Sequence, residues 1–313
     1  MKNQTKFPDL LYNLHLAYKN ARKNKRNTYN QIAFEINQEK NLYDLAQQVI
    51  NRTYQPKSSI AFIVNKPVTR EVFAADFSDR VIHHIIYNSI YKNIDNYLIY
   101  DTYSCRKGKG THFGINRVKH FLLSATDNYQ NDAYILKLDI KSYFMNMQHK
   151  IIYEKINTIL SKKFNPKVID FETLDYLLKQ TIFINVKNNC RIKGKKSEWK
   201  SLPHDKSLFN KPDGIGLPIG NLTSQVFGNI YLNKIDHYIK NELGIKYYGR
   251  YVDDMIFVHP RKEKLLSVIN PINNKLKEIG MKIHPQKIYL QHYDKGVFLM
   301  SVNSPHPFTP YKQ

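Results

Sequence analysis

The feature that most constrains this chain is a pair of adjacent carboxylates set between two β-rich runs. Within residues 245–258, Asp253-Asp254 joins the runs in a hairpin pattern, preceded by Tyr251-Val252. Aspartate suits turns because its side chain bonds the local backbone, so the dipeptide alone reads as turn chemistry. A second strand changes the reading. Residues 133–139 are Ala-Tyr-Ile-Leu-Lys-Leu-Asp, an apolar strand that ends in Asp139. A strand-end aspartate and a hairpin pair can together hold two divalent cations about 4 Å apart. Hard oxygen ligands suit Mg2+, with Mn2+ as a substitute.

The charge gives that acidic cluster its meaning. The chain of 313 residues carries 48 Lys+Arg against 26 Asp+Glu, a formal net charge of +22. Such a potential attracts polyanions, and nucleic acid is the default partner through phosphate neutralisation. An AT-rich coding composition accounts for lysine over arginine but not for the deficit of acids. An anionic membrane is the rival partner, but no basic amphipathic anchor or lipidation signal is evident. Hydrophobic residues at 42% and aromatics at 13% exclude a wholly disordered basic chain. The 23 tyrosines and 16 phenylalanines offer stacking surfaces for unpaired bases, although most such rings belong in cores. Two cysteines, Cys105 and Cys190, exclude a disulfide framework and a four-cysteine zinc module. The N-terminus has no signal-type apolar run and no stretch reaches transmembrane length, so a cytoplasmic protein is expected.

The periodicity reads as α+β. Residues 9–50 are helical, with a basic cluster at Arg22, Lys23, Lys25 and Arg26. Residues 60–64 form a strand, and residues 81–99 and 222–239 form helices. Residues 187–211 read as an exposed basic insertion. A helix through Leu265, Ile272 and Leu276 ends at Gly280, with a kink or break expected at Pro271. The loop Ser104-Cys105-Arg106-Lys107-Gly108-Lys109-Gly110 is basic and glycine-punctuated, a weak phosphate-cradle signal.

In order along the chain, "REVFAADFSDR" (70–80), "SCRKGKGTH" (104–112), "DIKSYF" (139–144), "GLPIGNLTSQ" (216–225), "YVDD" (251–254) and "HPQKIYL" (284–290) resemble the motifs of the prokaryotic reverse transcriptases. The resemblance implies a right-hand polymerase of fingers and palm with an antiparallel palm sheet. It assigns residues 1–50 to an N-terminal helical basic extension, 51–132 to the fingers and 133–295 to the palm. Residues 296–313 become a primer-grip-like strand and a short tail, with the thumb missing or vestigial. It implies Asp139, Asp253 and Asp254 as catalytic metal ligands, joined by the backbone carbonyl of Ile140. Arg70, Phe144, Ile219, Gly220, Gln225 and Lys287 are implied at the incoming nucleotide, with Phe144 blocking a ribose 2′-hydroxyl. Arg80, Arg106, Lys107, Lys109 and Tyr251 are implied against nucleic acid. The implied partners are template RNA, cDNA or primer, dNTPs, and an accessory protein or second subunit that grips the duplex.

Ile219 and Gln225 stand where many reverse transcriptases have Gln and Pro, which resembles the enzymes of diversity-generating retroelements and the group II intron-like class. That similarity implies copying that is error-prone at template adenines. An antiphage defence enzyme is the alternative. An RNA-directed RNA polymerase shares the palm, but Phe144 argues against it. An RNA-binding protein with a retired polymerase site is the remaining alternative, opposed by retention of all three acids.

Overall fold

The computed structural model describes residues 5–23, 27–66, 68–164 and 167–295. The expected primer-grip strand and tail at 296–313, and Lys25 and Arg26 of the basic cluster, lie outside them. By contacts the chain divides into two compact units, each built from two stretches. The chain leaves each unit and later re-enters it.

The first unit comprises residues 1–97 and 148–227. Its N-terminal helices are α1 (Phe7–Arg22), α2 (Tyr29–Ile36) and α3 (Gln38–Ile50). Strands β1 (Ser59–Val64) and β2 (Arg70–Ala74) form an antiparallel pair. Helix α4 (Phe77–Asp95) starts where the Asp76 carboxylate accepts from the Ser78 amide, and it buries Val81, Ile85, Ile86, Ile90 and Ile94. Helices α6 (His149–Lys163) and α7 (Phe171–Ile182) come after the other unit's insertion in the chain.

The segment 187–211 is not a freely exposed insertion. Strand β4 (Cys190–Ile192) adds in parallel to β1, which gives a sheet of order β2-β1-β4. The fully buried Glu71 carboxylate then ties down residues 199–208. It accepts from Trp199 Nε1 (2.7 Å), Ser207 Oγ (2.7 Å) and the Leu208 amide (2.6 Å). One buried acid thus finds three donors in a stretch whose composition reads as solvated.

The second unit comprises residues 98–147 and 228–313. Helix α5 (Thr111–Ala125) precedes β3 (Tyr134–Ile140), and α8 (Leu222–His237) runs from residues of the first unit into residues of the second. The hairpin is β5 (Tyr247–Tyr251) and β6 (Asp254–His259), then α9 (Lys262–Lys277) and β7 (Ile283–His292). The sheet order is β5-β6-β3-β7, with every pairing antiparallel. Side chains alternate between the two faces. One face buries Ile135, Ile256 and Val258 against Val118, Phe121 and Leu122 of α5. Of the kink or break expected at Pro271, the break does not occur: helix α9 is continuous through it. The ring removes a donor to the Ser267 carbonyl, on an exposed turn where water can serve it. Burial of Leu265, Val268, Ile272 and Leu276 holds the rest of the helix.

Candidate active site

The site grows from the register of two strands in the second unit. Asp139 and Asp254 are direct partners across the β3–β6 pair. Like charges directly opposed on one sheet face repel, so this register is locally unfavourable. Asp253 sits in the turn beside them, after Val252 in the left-handed region at φ 55°. A β-branched residue adopts that conformation only when its surroundings enforce it.

Two lysines compensate the opposed pair. Lys287 Nζ lies 2.8 Å from Asp139 Oδ2, and Lys137 Nζ lies 3.0 Å from Asp254 Oδ1. Lys137 is two residues before Asp139 and therefore shares its face. No ion pair reaches Asp253 among the described residues. Burial pushes its carboxyl up to about 7, helped by the charges of Asp254 and Asp139. Burial also raises Asp254, against the pull of Lys137. Burial opposes the charge on Lys287, but its bond to Asp139 and the nearby carboxylates leave its pKa above the ordinary value.

The enforcing residue behind the turn is Arg250, fully buried at 0% exposure together with Asp236 of α8. Its Nε and Nη2 donate to the two Asp236 oxygens at 2.8 and 2.6 Å, and Nη1 donates to the Val252 carbonyl at 2.7 Å. Tyr248 Oη donates to Asp236 as well, at 2.6 Å. Two glycines make room for aromatic rings on this scaffold. A Cβ at Gly249 would lie 2.1 Å from Tyr103 Oη, and one at Gly228 would lie 2.7 Å from Tyr143 Oη.

The remaining expected residues fall in both units. In the second, Ile140 is buried at the end of β3, and half-buried Phe144 comes after it with its ring 4.9 Å from that of Tyr143. Tyr251 is half-buried opposite Asp254. The basic loop spends two of its cations on itself. Arg106 Nη1 donates to the carbonyls of Ile99 (2.7 Å) and Thr102 (3.2 Å), and Lys109 Nζ donates to the Tyr100 carbonyl, while Lys107 is exposed. In the first unit, Arg70 is exposed at the start of β2, and Arg80 Nε donates to the Ala75 carbonyl at 3.1 Å. The Ile219 carbonyl accepts from the Phe73 amide at 3.0 Å. Gly220 has φ 114° and leaves no room for a side chain against Val72. Gln225 is exposed on α8.

The sequence reading missed Lys137, Arg250 and Asp236. Lys137 was legible from its i, i+2 spacing to Asp139. Asn229, Asn233 and Asp236, spaced by four and three, form a buried polar stripe on α8, of which Asn229 and Asp236 accept from Arg250.

Among the described residues no group of three or more His, Cys, Asp or Glu side chains is set to hold a metal ion. The donor chemistry nonetheless fits a hard divalent cation. Three carboxylates share one sheet end, and the charges of Asp139 and Asp254 make ionising Asp253 costlier, a penalty that an added cation would relieve. No described helix is long and apolar enough to cross a membrane.

Residues 68–303 match the family model described as reverse transcriptase (RNA-dependent DNA polymerase). Among solved structures, the chain is similar to apo telomerase from Candida tropicalis truncated from its C-terminal domain. There the TM-score is 0.51 at 14% identity, over 80% of this chain and 54% of that one. Apo telomerase from Candida tropicalis matches at TM-score 0.52 and 14% identity, over 77% and 45% of the two chains. The same telomerase in complex with a fragment of telomeric RNA matches at 0.50 and 13%, over 82% and 45%. The chain therefore spans about half the length of these structures, and the likeness shows the fold.

Proposed function

Since the chain belongs to the reverse transcriptase (RNA-dependent DNA polymerase) family, we propose that it synthesises DNA on an RNA template, with Asp139, Asp253 and Asp254 holding two Mg2+ ions. The register that sets Asp139 directly opposite Asp254 carries this reading. Like charges at that position break a local rule of sheet pairing, and such violations are expected at functional sites. When bound, the two ions would favour ionisation of an attacking 3′-hydroxyl and stabilise the leaving pyrophosphate oxygen.

The chain's own residues do the rest. Arg250 holds the Val252 carbonyl and so fixes where the Asp253 carboxylate points. Lys287 and Lys137 pair with Asp139 and Asp254 and hold those carboxylates in place. Phe144, just past the end of β3, excludes a ribose 2′-hydroxyl by bulk and so selects dNTPs. Arg70, exposed at the start of β2, binds the triphosphate, and Ile219, Gly220 and Gln225 contact the incoming nucleotide, as the family resemblance implies. Ile219 in place of a polar side chain relaxes the check on the new base pair. On that ground we assign the enzyme to the diversity-generating class, error-prone at template adenines.

Primer extension on a defined RNA template tests this. DNA synthesis should require Mg2+ or Mn2+, prefer dNTPs over NTPs, and fall at least 1,000-fold, on the order of 4 kcal/mol of barrier, in Asp253→Ala. Undiminished synthesis by Asp253→Ala would refute the site. Sequenced cDNA with equal error rates at all four template bases would refute the adenine assignment.

A further inference from the structure

The segment after β4 is a second concentration of charge that the proposed chemistry does not use. Between residues 191 and 200 stand five cations, Arg191, Lys193, Lys195, Lys196 and Lys200, with one acid, Glu198. All five are exposed, and none makes an ion pair among the described residues. Glu198 is spent locally, accepting from the Lys195 amide at 2.9 Å.

A solvated basic loop would relax this repulsion by moving apart. Here the backbone is fixed instead. Arg191 is paired with Ile60 and Ile192 with Ala61, and the Lys193 amide donates to the Ala61 carbonyl at 2.8 Å. Asn189 Nδ2 donates to the Pro56 carbonyl at 3.0 Å. At the other end, Trp199 is bonded to buried Glu71. The turn between is built for one conformation. Gly194 has φ 99°, a conformation that L side chains rarely adopt. A fixed array of like charges costs stability unless a polyanion offsets it, and pre-positioned cations lose little entropy on binding one.

The sheet register says which way part of the array faces. Arg191 shares a face with Ile60, and Arg70 shares that face through its pairing with Val64. The half-buried residues Ile60, Phe62, Val64, Val72 and Ala74 lie on it as well. Strand β4 is an edge strand, so its outer backbone groups are open.

We propose that Arg191, Lys193, Lys195 and Lys196 form a phosphate-gripping edge that tracks the backbone of a single nucleic-acid strand. This inference rests on the nucleic-acid reading above but not on catalysis, and its test reads binding alone. A 30-nucleotide RNA, and DNA of the same sequence, would be titrated against the full chain across salt concentrations. The test variant replaces Arg191, Lys193, Lys195 and Lys196 with Gln. The control replaces the exposed Lys119, Arg261, Lys262 and Lys277 with Gln.

If all four cations contact phosphate, the slope of log K against log salt becomes shallower by roughly 0.7 per residue lost, and affinity at about 0.15 M salt falls on the order of 100-fold. Thermal unfolding of the free chain should not fall, because all four side chains are exposed and their removal relieves repulsion. Loss with RNA, DNA or both supports the edge and says which strand it holds. Affinity within twofold of the original overturns the proposal, as does an equal loss in the control. Unchanged RNA affinity with weakened binding to phosphatidylserine vesicles would overturn it in favour of a membrane. A chain that binds RNA through this edge yet never extends a primer would refute the polymerase reading while leaving the edge standing.

Discussion

Arg250 offers the sharpest test of how the fold sets up its carboxylates. Arg250 and Asp236 are both fully buried, bonded at 2.8 and 2.6 Å, and the third guanidinium bond runs to the Val252 carbonyl at 2.7 Å. Arg250→Met leaves a buried carboxylate with only the Tyr248 hydroxyl, and Asp236→Leu leaves a buried guanidinium without its anion. Breaking a buried pair from either side costs about 3–5 kcal/mol. Replacing both charges with apolar side chains removes the uncompensated ion, so the double variant should recover most of that loss. The freed Val252 carbonyl is still orphaned, at about 1–3 kcal/mol, and the φ 55° turn loses its anchor. A double-mutant cycle by guanidinium denaturation, with primer extension on the same four proteins, separates the two effects. Stability should return in the double variant while kcat stays low, with KM for dNTP little changed. Additive destabilisation would refute the ion-pair account, and recovered kcat would refute the anchoring account.

Two further predictions concern the first unit. Glu71→Gln sets an amide donor against the Leu208 amide and should weaken the docking of 195–210 by about 1–3 kcal/mol. Trypsin should then cut faster after Lys193, Lys195 and Lys196; an unchanged cleavage rate would count against Glu71 as the anchor. Burial raises Asp79 from 3.8 to about 7, above its unfolded value, so its contribution to stability is full below 3.8 and is lost as pH rises to about 7. Within that window the slope should be about −1.4 kcal/mol per pH unit, and Asp79→Asn should flatten it by that amount; denaturation midpoints with the same pH slope in both proteins would contradict the assignment.

What could be read from the sequence was periodic or local. The strand at 60–64 and the helix at 222–239 correspond to β1 and α8 within two residues, because alternation and i, i+4 spacing report burial directly. The strand-end Asp139 and the hairpin acids were legible because carboxylates beside apolar runs break the pattern. Non-local pairings were hidden. Nothing in "RIKGKKSEWK" shows that Trp199 reaches Glu71 across 128 positions, so a docked segment reads as a solvated one. The sequence places Arg106 in a basic loop, and only the fold shows that its Nη1 donates to the Ile99 and Thr102 carbonyls. Pro271 left a break open as an alternative to a kink because propensity ignores tertiary packing, which here holds α9 together.

The net charge of +22 is organised rather than diffuse. At the sheet end, Lys287 and Lys137 offset Asp139 and Asp254 one for one, and among the described residues no ion pair reaches Asp253. Arg250 cannot serve there either, since both of its branches are committed inside the core. The surplus is held elsewhere, on surfaces such as 191–200, where five cations stand against a single acid. That arrangement divides two tasks with opposite electrostatic needs. Attraction of a phosphate backbone requires uncompensated positive charge on the surface, whereas positioning metal at a reacting phosphate requires negative charge shielded from it. A chain with the same total charge spread evenly would bind nucleic acid but would bury its acids in a field that competes with metal.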